Sequence, residues 1–149
     1  MADLTLTEEI AAPTRVVGAF FVPHRMGAWY GRDLDLQFET QGGAIEFRSG
    51  LKVRLTGRIK KHEMTHTAVV TEFERGRVLE WKFQDTYGVR GMQRWELAET
   101  ANGTRLRMRD HYEMPGRLGR FFDRLITRHA VARRDRQELA RLKLLVEHT

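Results

Sequence analysis

The sequence predicts an α+β fold, in which a curved antiparallel sheet of about six or seven strands wraps around one long C-terminal helix. Two observations carry this prediction: a run of segments in which apolar and polar residues alternate, and a final segment whose apolar residues lie three or four positions apart. Alternation is the period of a strand with one buried face, and the longer spacing is that of a helix with one apolar stripe. Strands in a run followed by a helix favour a helix on one face of an antiparallel sheet.

The first alternating segment, residues 4–10, predicts strand 1. After it, a short helix should begin at Pro13 or Thr14 and end at Pro23, and a second short turn or helix should close at Gly31. Gly42-Gly43 and Asn102-Gly103 are hairpin signals, the second being the stronger. Further alternating segments predict strands at 34–39, 45–48, 51–60, 67–73, 79–84, 89–99 and 105–112.

The last third of the chain, from Pro115 to about Glu147, predicts one helix roughly 45 Å long. Such a helix needs a broad apolar partner, and the sheet supplies it. The predicted stripe contains Leu118, Phe122, Leu125, His129, Ala132, Leu139, Leu142 and Val146.

Length and composition indicate a single globular domain over residues 1–149, with 41% hydrophobic residues and no run long enough for a membrane span. We see no charged leader before an apolar run, and cysteine is absent, so a cytoplasmic protein without disulfides is expected. The net charge of +6 is spread along the chain, which is typical of a solubilising surface. The aromatic residues fall on the opposite sheet face from the basic row Arg105, Arg107 and Arg109, so no nucleic acid partner is expected.

One motif suggests zinc chemistry: His62-Glu63-Met64-Thr65-His66 matches the His-Glu-x-x-His pattern of zinc peptidases. That chemistry requires a helix, because two histidines one turn apart must face one metal. Here the motif lies between two alternating segments, in hairpin context, so we expect neither a metal nor another cofactor.

A helix across a curled sheet leaves a cavity between the two layers, and polar residues interrupt both faces that should meet there. Asp110 and Tyr112 lie on the inward face of the last strand, and His129 lies on the helix stripe. All three are candidate acid/base residues, although each is also compatible with a structural role. Gln93, Tyr87 and Arg90 are further polar candidates, although alternation should turn Arg90 outward. The expected ligand-binding residues are Trp29, Phe38, Val53, Trp81, Phe83, Trp95, Met108, Phe122 and Leu125.

Several segments resemble the START-related helix-grip superfamily (SRPBCC), in its polyketide cyclase/dehydrase-like branch. The opening Ile10-Ala11-Ala12-Pro13 followed by Trp29 resembles its first strand, short helices and early tryptophan. The segment 73–81 resembles a strand pair of that branch, and 95–106 its closing hairpin. The resemblance implies a helix-grip fold with an internal pocket, and no shared catalytic signature.

The expected function is therefore the binding of a small hydrophobic or aromatic ligand in that pocket. The alternative is a polyketide cyclase/aromatase-like enzyme. A second alternative is a protein-interaction module that resembles the chaperone-ATPase activator homology domain. No pattern in the sequence predicts an oligomeric state.

Overall fold

The computed structural model describes residues 2–31, 35–59, 61–117, 119 and 128–148. Within them it confirms the predicted α+β, helix-grip-like fold. Two short helices, α1 (Thr14–Gly18) and α2 (Pro23–Met26), follow the first strand, and the long helix α3 covers Arg128–Glu147. The strands are β1 (Ala2–Ile10), β2 (Gln37–Thr40), β3 (Lys52–Ile59), β4 (His62–Glu74), β5 (Val78–Asp85), β6 (Arg90–Thr100) and β7 (Gly103–Glu113).

These seven strands form one antiparallel sheet in the order β1-β7-β6-β5-β4-β3-β2. From β2 to β7 each strand pairs with its neighbour along the chain, whereas β1 pairs with β7, with Ile10 opposite Thr104. A register shift between Val70 and Glu72 marks a bulge in β4. Because a bulge bends its strand and increases the local twist, it helps the sheet to curl around its inner face.

Helix α3 lies against the inner face and packs on β1. Its buried apolar residues are Leu139, Leu142 and Val146, each at most 3% exposed. Lys143 also donates a hydrogen bond of 2.5 Å from Nζ to the backbone oxygen of Glu9. None of the described helices is long and apolar enough to cross a membrane.

Three tryptophans form the centre of the core. Trp29, Trp81 and Trp95 are each 0% exposed. Trp95 lies edge-to-face with Trp81 at 5.1 Å and with Trp29 at 6.2 Å between ring centroids, and Tyr30 packs edge-on against all three. Such pairs contribute about 0.5–1.5 kcal/mol each beyond their burial. The middle of the sheet is therefore filled by aromatic rings.

Some predicted elements are wrong in detail. Residues 45–48 form a loop, where Phe47 is 3% exposed and packs against Phe73 and Trp81 at 5.9 and 6.1 Å, so it is buried without strand pairing. Gly42 and Gly43 lie in a 3-10 turn, Gln41–Gly43, rather than in a two-residue hairpin. β4 begins at His62 and not at residue 67. The first part of the predicted long helix includes positions 118 and 120–127, which lie outside the described residues.

Candidate functional site

A cavity of about 150 Å³ lies between the inner face of the sheet and α3, beside the tryptophan core. One part of its wall is apolar, and the other part carries charged and hydrogen-bonding side chains. Among the described residues, the apolar wall consists of Met64, Phe83, Val89, Met114 and Val131, and the polar wall of His66, Asp85, Gln93, Asp110, Tyr112 and Arg134.

Strand alternation places the polar groups of β6 and β7 on the inner face. Asp110 is 2% exposed and Tyr112 is 3% exposed, as expected from their positions two residues apart on one strand. Gln93 lies opposite Asp110 in register, and Gly91 lies opposite Tyr112. A Cβ added at Gly91 would lie 2.0 Å from the backbone oxygen of His111, so this position requires glycine.

A hydrogen-bonded chain ties Asp110 to the aromatic core. Gln93 Oε1 accepts hydrogen bonds from Tyr30 OH at 2.7 Å and from Trp81 Nε1 at 2.9 Å. The amide nitrogen of Gln93 donates to Asp110 Oδ2 at 3.4 Å. Gln93 is itself only 2% exposed, so it holds the carboxylate of Asp110 in a fixed position. The other oxygen, Asp110 Oδ1, is also buried.

Two buried carboxylic acids on α3 were not anticipated from the sequence. Asp135 is 0% exposed and Glu138 is 5% exposed. Burial, together with the negative charge of Asp110, raises the pKa of Asp135 to about 10. Burial likewise raises the pKa of Glu138 to about 8, although Arg134 opposes the shift. Both acids therefore hold a proton at neutral pH, because removing it would leave a charge in a poorly solvated site.

Arg134 balances these acids only in part. Its Nε lies 3.6 Å from Glu138 Oε1 and 3.9 Å from Asp135 Oδ1, which is too far for hydrogen bonds. Its side chain is 44% exposed, so it stands at the solvent side of the cluster. Both oxygens of Asp135 are buried. Because Asp135 holds a proton, its carboxyl group can donate, and a hydrogen bond with Asp110 contributes to its raised pKa.

His66 contributes an aromatic and neutral surface to the cavity. Its ring stacks on Phe83, with centroids 4.8 Å apart and planes 20° apart. Burial, together with the positive charge of Arg134, lowers the pKa of His66 to about 4, so the imidazole is neutral at pH 7. Its Nε2 is buried and without a hydrogen-bond partner in the described residues.

The zinc-like motif lies on β4 and not on a helix. His62 and His66 are four residues apart on a strand, and hence roughly 13 Å apart along it. Two histidines at this separation cannot bind one metal ion in the zinc-peptidase manner. The described residues contain no group of three or more His, Cys, Asp or Glu residues suited to a metal ion.

The structure brings together only some of the residues expected at the site. Asp110, Tyr112 and Phe83 line the cavity. The expectation for His129 is wrong, because this residue is exposed. At 3.6 residues per turn, its position six residues before Asp135 puts it about 120° around the helix from the buried face. Five of the other expected ligand-binding residues are buried in the core: Trp29, Val53, Trp81, Trp95 and Met108. Phe38 borders a separate groove near β2. Phe122 and Leu125 lie outside the described residues.

The buried acids did have a sequence signal. Asp135 lies four residues before Leu139, and Glu138 lies four residues before Leu142, so both share the face of the apolar stripe. An acidic residue in phase with a buried stripe indicates either a buried network or a site.

Comparison with known proteins places this geometry in context. The model of a family described as "Polyketide cyclase / dehydrase and lipid transport" matches residues 1–147. A comparison with curated proteins finds no match. A solved Rhodobacter sphaeroides protein is 20% identical, with a TM-score of 0.74 over 97% of this chain and 91% of that chain.

Two other solved structures are similar in fold. A Chromobacterium violaceum protein is 17% identical, with a TM-score of 0.71 and 99% of each chain covered. DynU16, a protein in the dynemicin biosynthetic locus, is 18% identical, with a TM-score of 0.66 over 97% of this chain and 47% of that chain. At these identities the likeness shows the fold alone.

Proposed function

This chain belongs to the polyketide cyclase/dehydrase and lipid transport family, and on that premise we propose that it binds one small, largely apolar ligand between the sheet and α3. The cavity beside the tryptophan core carries the proposal, because it joins an apolar wall to a few convergent polar groups. Its volume of about 150 Å³ is close to that of an engineered protein cavity that holds benzene. A ligand with a single ring matches this volume.

A cavity-filling substitution tests the site. Val131→Phe places a ring in the space that the ligand would occupy, so we expect the affinity for propylbenzene to fall at least about tenfold. Leu144→Phe is the matched control, since Leu144 lies on the same helix but is 60% exposed. Titration calorimetry measures both affinities. If wild-type protein does not bind propylbenzene, or Val131→Phe binds it equally well, the cavity is not the binding site.

Mass spectrometry of the purified protein under native conditions provides an independent check. A co-purified compound of one mass, absent from Val131→Phe and present in Leu144→Phe, would identify the ligand. Since the chain has no cysteine and no described helix suited to a membrane, we propose that binding takes place in the cytoplasm.

A cyclase-like enzyme is the second candidate function, and the pairing of Asp110 with Asp135 favours it. Asp110 lines the cavity and would act as the base, while Tyr112 beside it is a candidate acid. Asp135 is hydrogen-bonded to Asp110 and holds a proton at neutral pH. In an enzyme, Asp110→Asn should lower the turnover of a poly-β-ketone by about 10²–10⁴-fold while binding persists. In a carrier, the same change should alter the binding free energy only by the contribution of one hydrogen bond, about 0.5–1.5 kcal/mol.

A further inference from the structure

A second concave surface lies on the outer face of the sheet and is separate from the cavity. It has a volume of about 630 Å³, which is typical of binding sites. Its exposed side chains alternate along the strands with core residues such as Val53 and Phe83, which face inward. In its centre, the short residues Thr67 and Val69 of β4 lie between longer side chains of β3 and β5. The surface is therefore a trench along β4, which we call the outer trench.

Two rows of side chains cross the outer trench. Each row has a short residue of β4 between longer residues of β3 and β5: Lys52, Val69 and Lys82 in the first row, and Arg54, Thr67 and Gln84 in the second. The rows are two residues apart along β4, which corresponds to about 6.8 Å. Across the trench, β3 and β5 are separated by two strand spacings, or about 10 Å. These dimensions suit a single extended chain that lies along β4.

The cations of the outer trench have no carboxylate partner. Elsewhere on the same face, Arg94 contacts three glutamates. In the part of the chain that the structure describes, Lys52, Arg54 and Lys82 form no ion pair, although Glu39 on β2 is in register with Arg54. Three positive charges therefore face one negative charge in the trench. An anionic molecule would be attracted to it.

The spacing of the two rows favours a peptide as that anion. In an extended peptide every second side chain faces the same way, and such side chains are about 6.8 Å apart, like the two rows. A carboxylate above Val69 can accept hydrogen bonds from both lysines of the first row, and the next one can accept from Arg54. Val69 is 42% exposed, so the methylene groups of an acidic side chain can also pack on it.

Other anionic partners suit the outer trench less well. Single-stranded nucleic acid binds through stacking on aromatic side chains, and the described residues of the trench include no exposed aromatic ring. A flat membrane surface would meet the ends of the long side chains without reaching Val69 on the floor.

We infer that the outer trench binds an extended acidic segment of a partner protein, with carboxylates at alternate positions of that segment. One carboxylate lies between Lys52 and Lys82, and the next lies at Arg54. The inference is independent of the proposed function, because the trench and the cavity lie on opposite faces of the sheet.

Two threonine heptapeptides of the same composition test the inference on wild-type protein. One has glutamate at its third and fifth positions, and the other has glutamate at its third and fourth, where an extended chain turns the two carboxylates to opposite sides. Chemical shifts of the backbone amides of isotope-labelled protein at pH 7 report binding. We expect the alternate-acid peptide to bind about threefold more tightly, the effect of one further exposed ion pair, and to shift the signals of Thr67 and Val69. Equal affinities, shifts spread over the whole basic surface, or no binding would overturn the inference.

Two glutamine variants separate the outer trench from the net charge of the protein. Lys82→Gln should weaken binding of the alternate-acid peptide about threefold. Arg107→Gln is the matched control, because Arg107 is an exposed cation on the same face of the sheet but lies outside the trench, and it should bind the peptide as the wild-type protein does. If both variants weaken binding equally, general attraction to a basic protein explains it and the inference is wrong. An oligothymidylate that shifts the same signals at lower concentration than the peptide would likewise assign the trench to nucleic acid and overturn it.

Discussion

Replacing Asp135 by asparagine should change how the stability of this protein depends on pH. The folded protein holds the Asp135 proton up to a pKa of about 10, whereas the same group ordinarily titrates at 3.8. Between these values the folded state binds more protons than the unfolded state. The free energy of unfolding therefore falls as pH rises, by up to about 1.4 kcal/mol per pH unit for one such group.

The contribution of Asp135 to the pH dependence of stability is best measured between pH 7 and 9.5. Below pH 6.5 His66 acts with the opposite sign, because its folded pKa of about 4 lies under its ordinary 6.5, and stability then rises with pH. Glu138 adds to the fall only up to its pKa of about 8. Across this window Asp135 accounts for a loss of up to about 3 kcal/mol, which Asp135→Asn should remove.

Urea unfolding at pH 7, 8 and 9.5, followed by tryptophan fluorescence, measures the effect through the midpoint at constant m-value. Glu99→Gln on β6 is the control, since Glu99 is exposed and should leave the profile of the wild-type protein unchanged. The reasoning is refuted if wild-type stability stays constant from pH 7 to 9.5, or if the Asp135→Asn profile runs parallel to it.

Three further predictions concern the frame around the site. Trp95→Ala should lower the free energy of unfolding by about 3–5 kcal/mol, because Trp95 is 0% exposed and packs against three other aromatic rings within 6.2 Å. Trp95→Phe should lower it much less, and equal losses for the two variants would contradict this packing. Gly18→Ala should lower the free energy of unfolding by about 1–3 kcal/mol, since the new Cβ would lie 2.7 Å from Gly76 Cα. Gly27→Ala, whose new Cβ has its nearest atom at 3.7 Å, should leave stability nearly unchanged. Thermal melts in which Gly27→Ala is the less stable variant would contradict this prediction. Arg94→Met should lower the free energy of unfolding by about 1–3 kcal/mol in low salt, because Glu72, Glu80 and Glu96 lose the cation that they share. If the same loss persists in 1 M salt, its cause is not electrostatic.

Much of the fold follows from alternation. The apolar faces of β3, β5, β6 and β7 were predictable because each strand has one buried side. The two-residue alternation of side chains is the same whichever element packs against that side. The loop at Phe47 was not predictable, because its sequence, with one buried aromatic residue, shows the same local pattern as a short strand.

The site was less predictable, because alternation tells which way a side chain faces and not whether the space in front of it is filled. Trp81 and Trp95 do face inward, yet they pack against other rings, and the cavity opens beside them. Asp135 escaped prediction because charged residues on a helix are usually solvated. Its raised pKa depends partly on Asp110, which is distant in sequence and comes close only in the folded chain.

The pairing of β1 with β7 has a consequence during synthesis. Thr104 leaves the ribosome more than 90 residues after its partner Ile10, which takes roughly 5–20 s at ordinary translation rates. The hairpins from β2 to β7 need only about 1–10 μs each once their strands are available. The β1 segment must therefore stay unpaired and soluble for seconds, while the neighbouring hairpins close within microseconds. Its alternating Thr5, Thr7 and Glu9 suit that interval, because polar side chains at every second position limit association of the nascent strand with other chains.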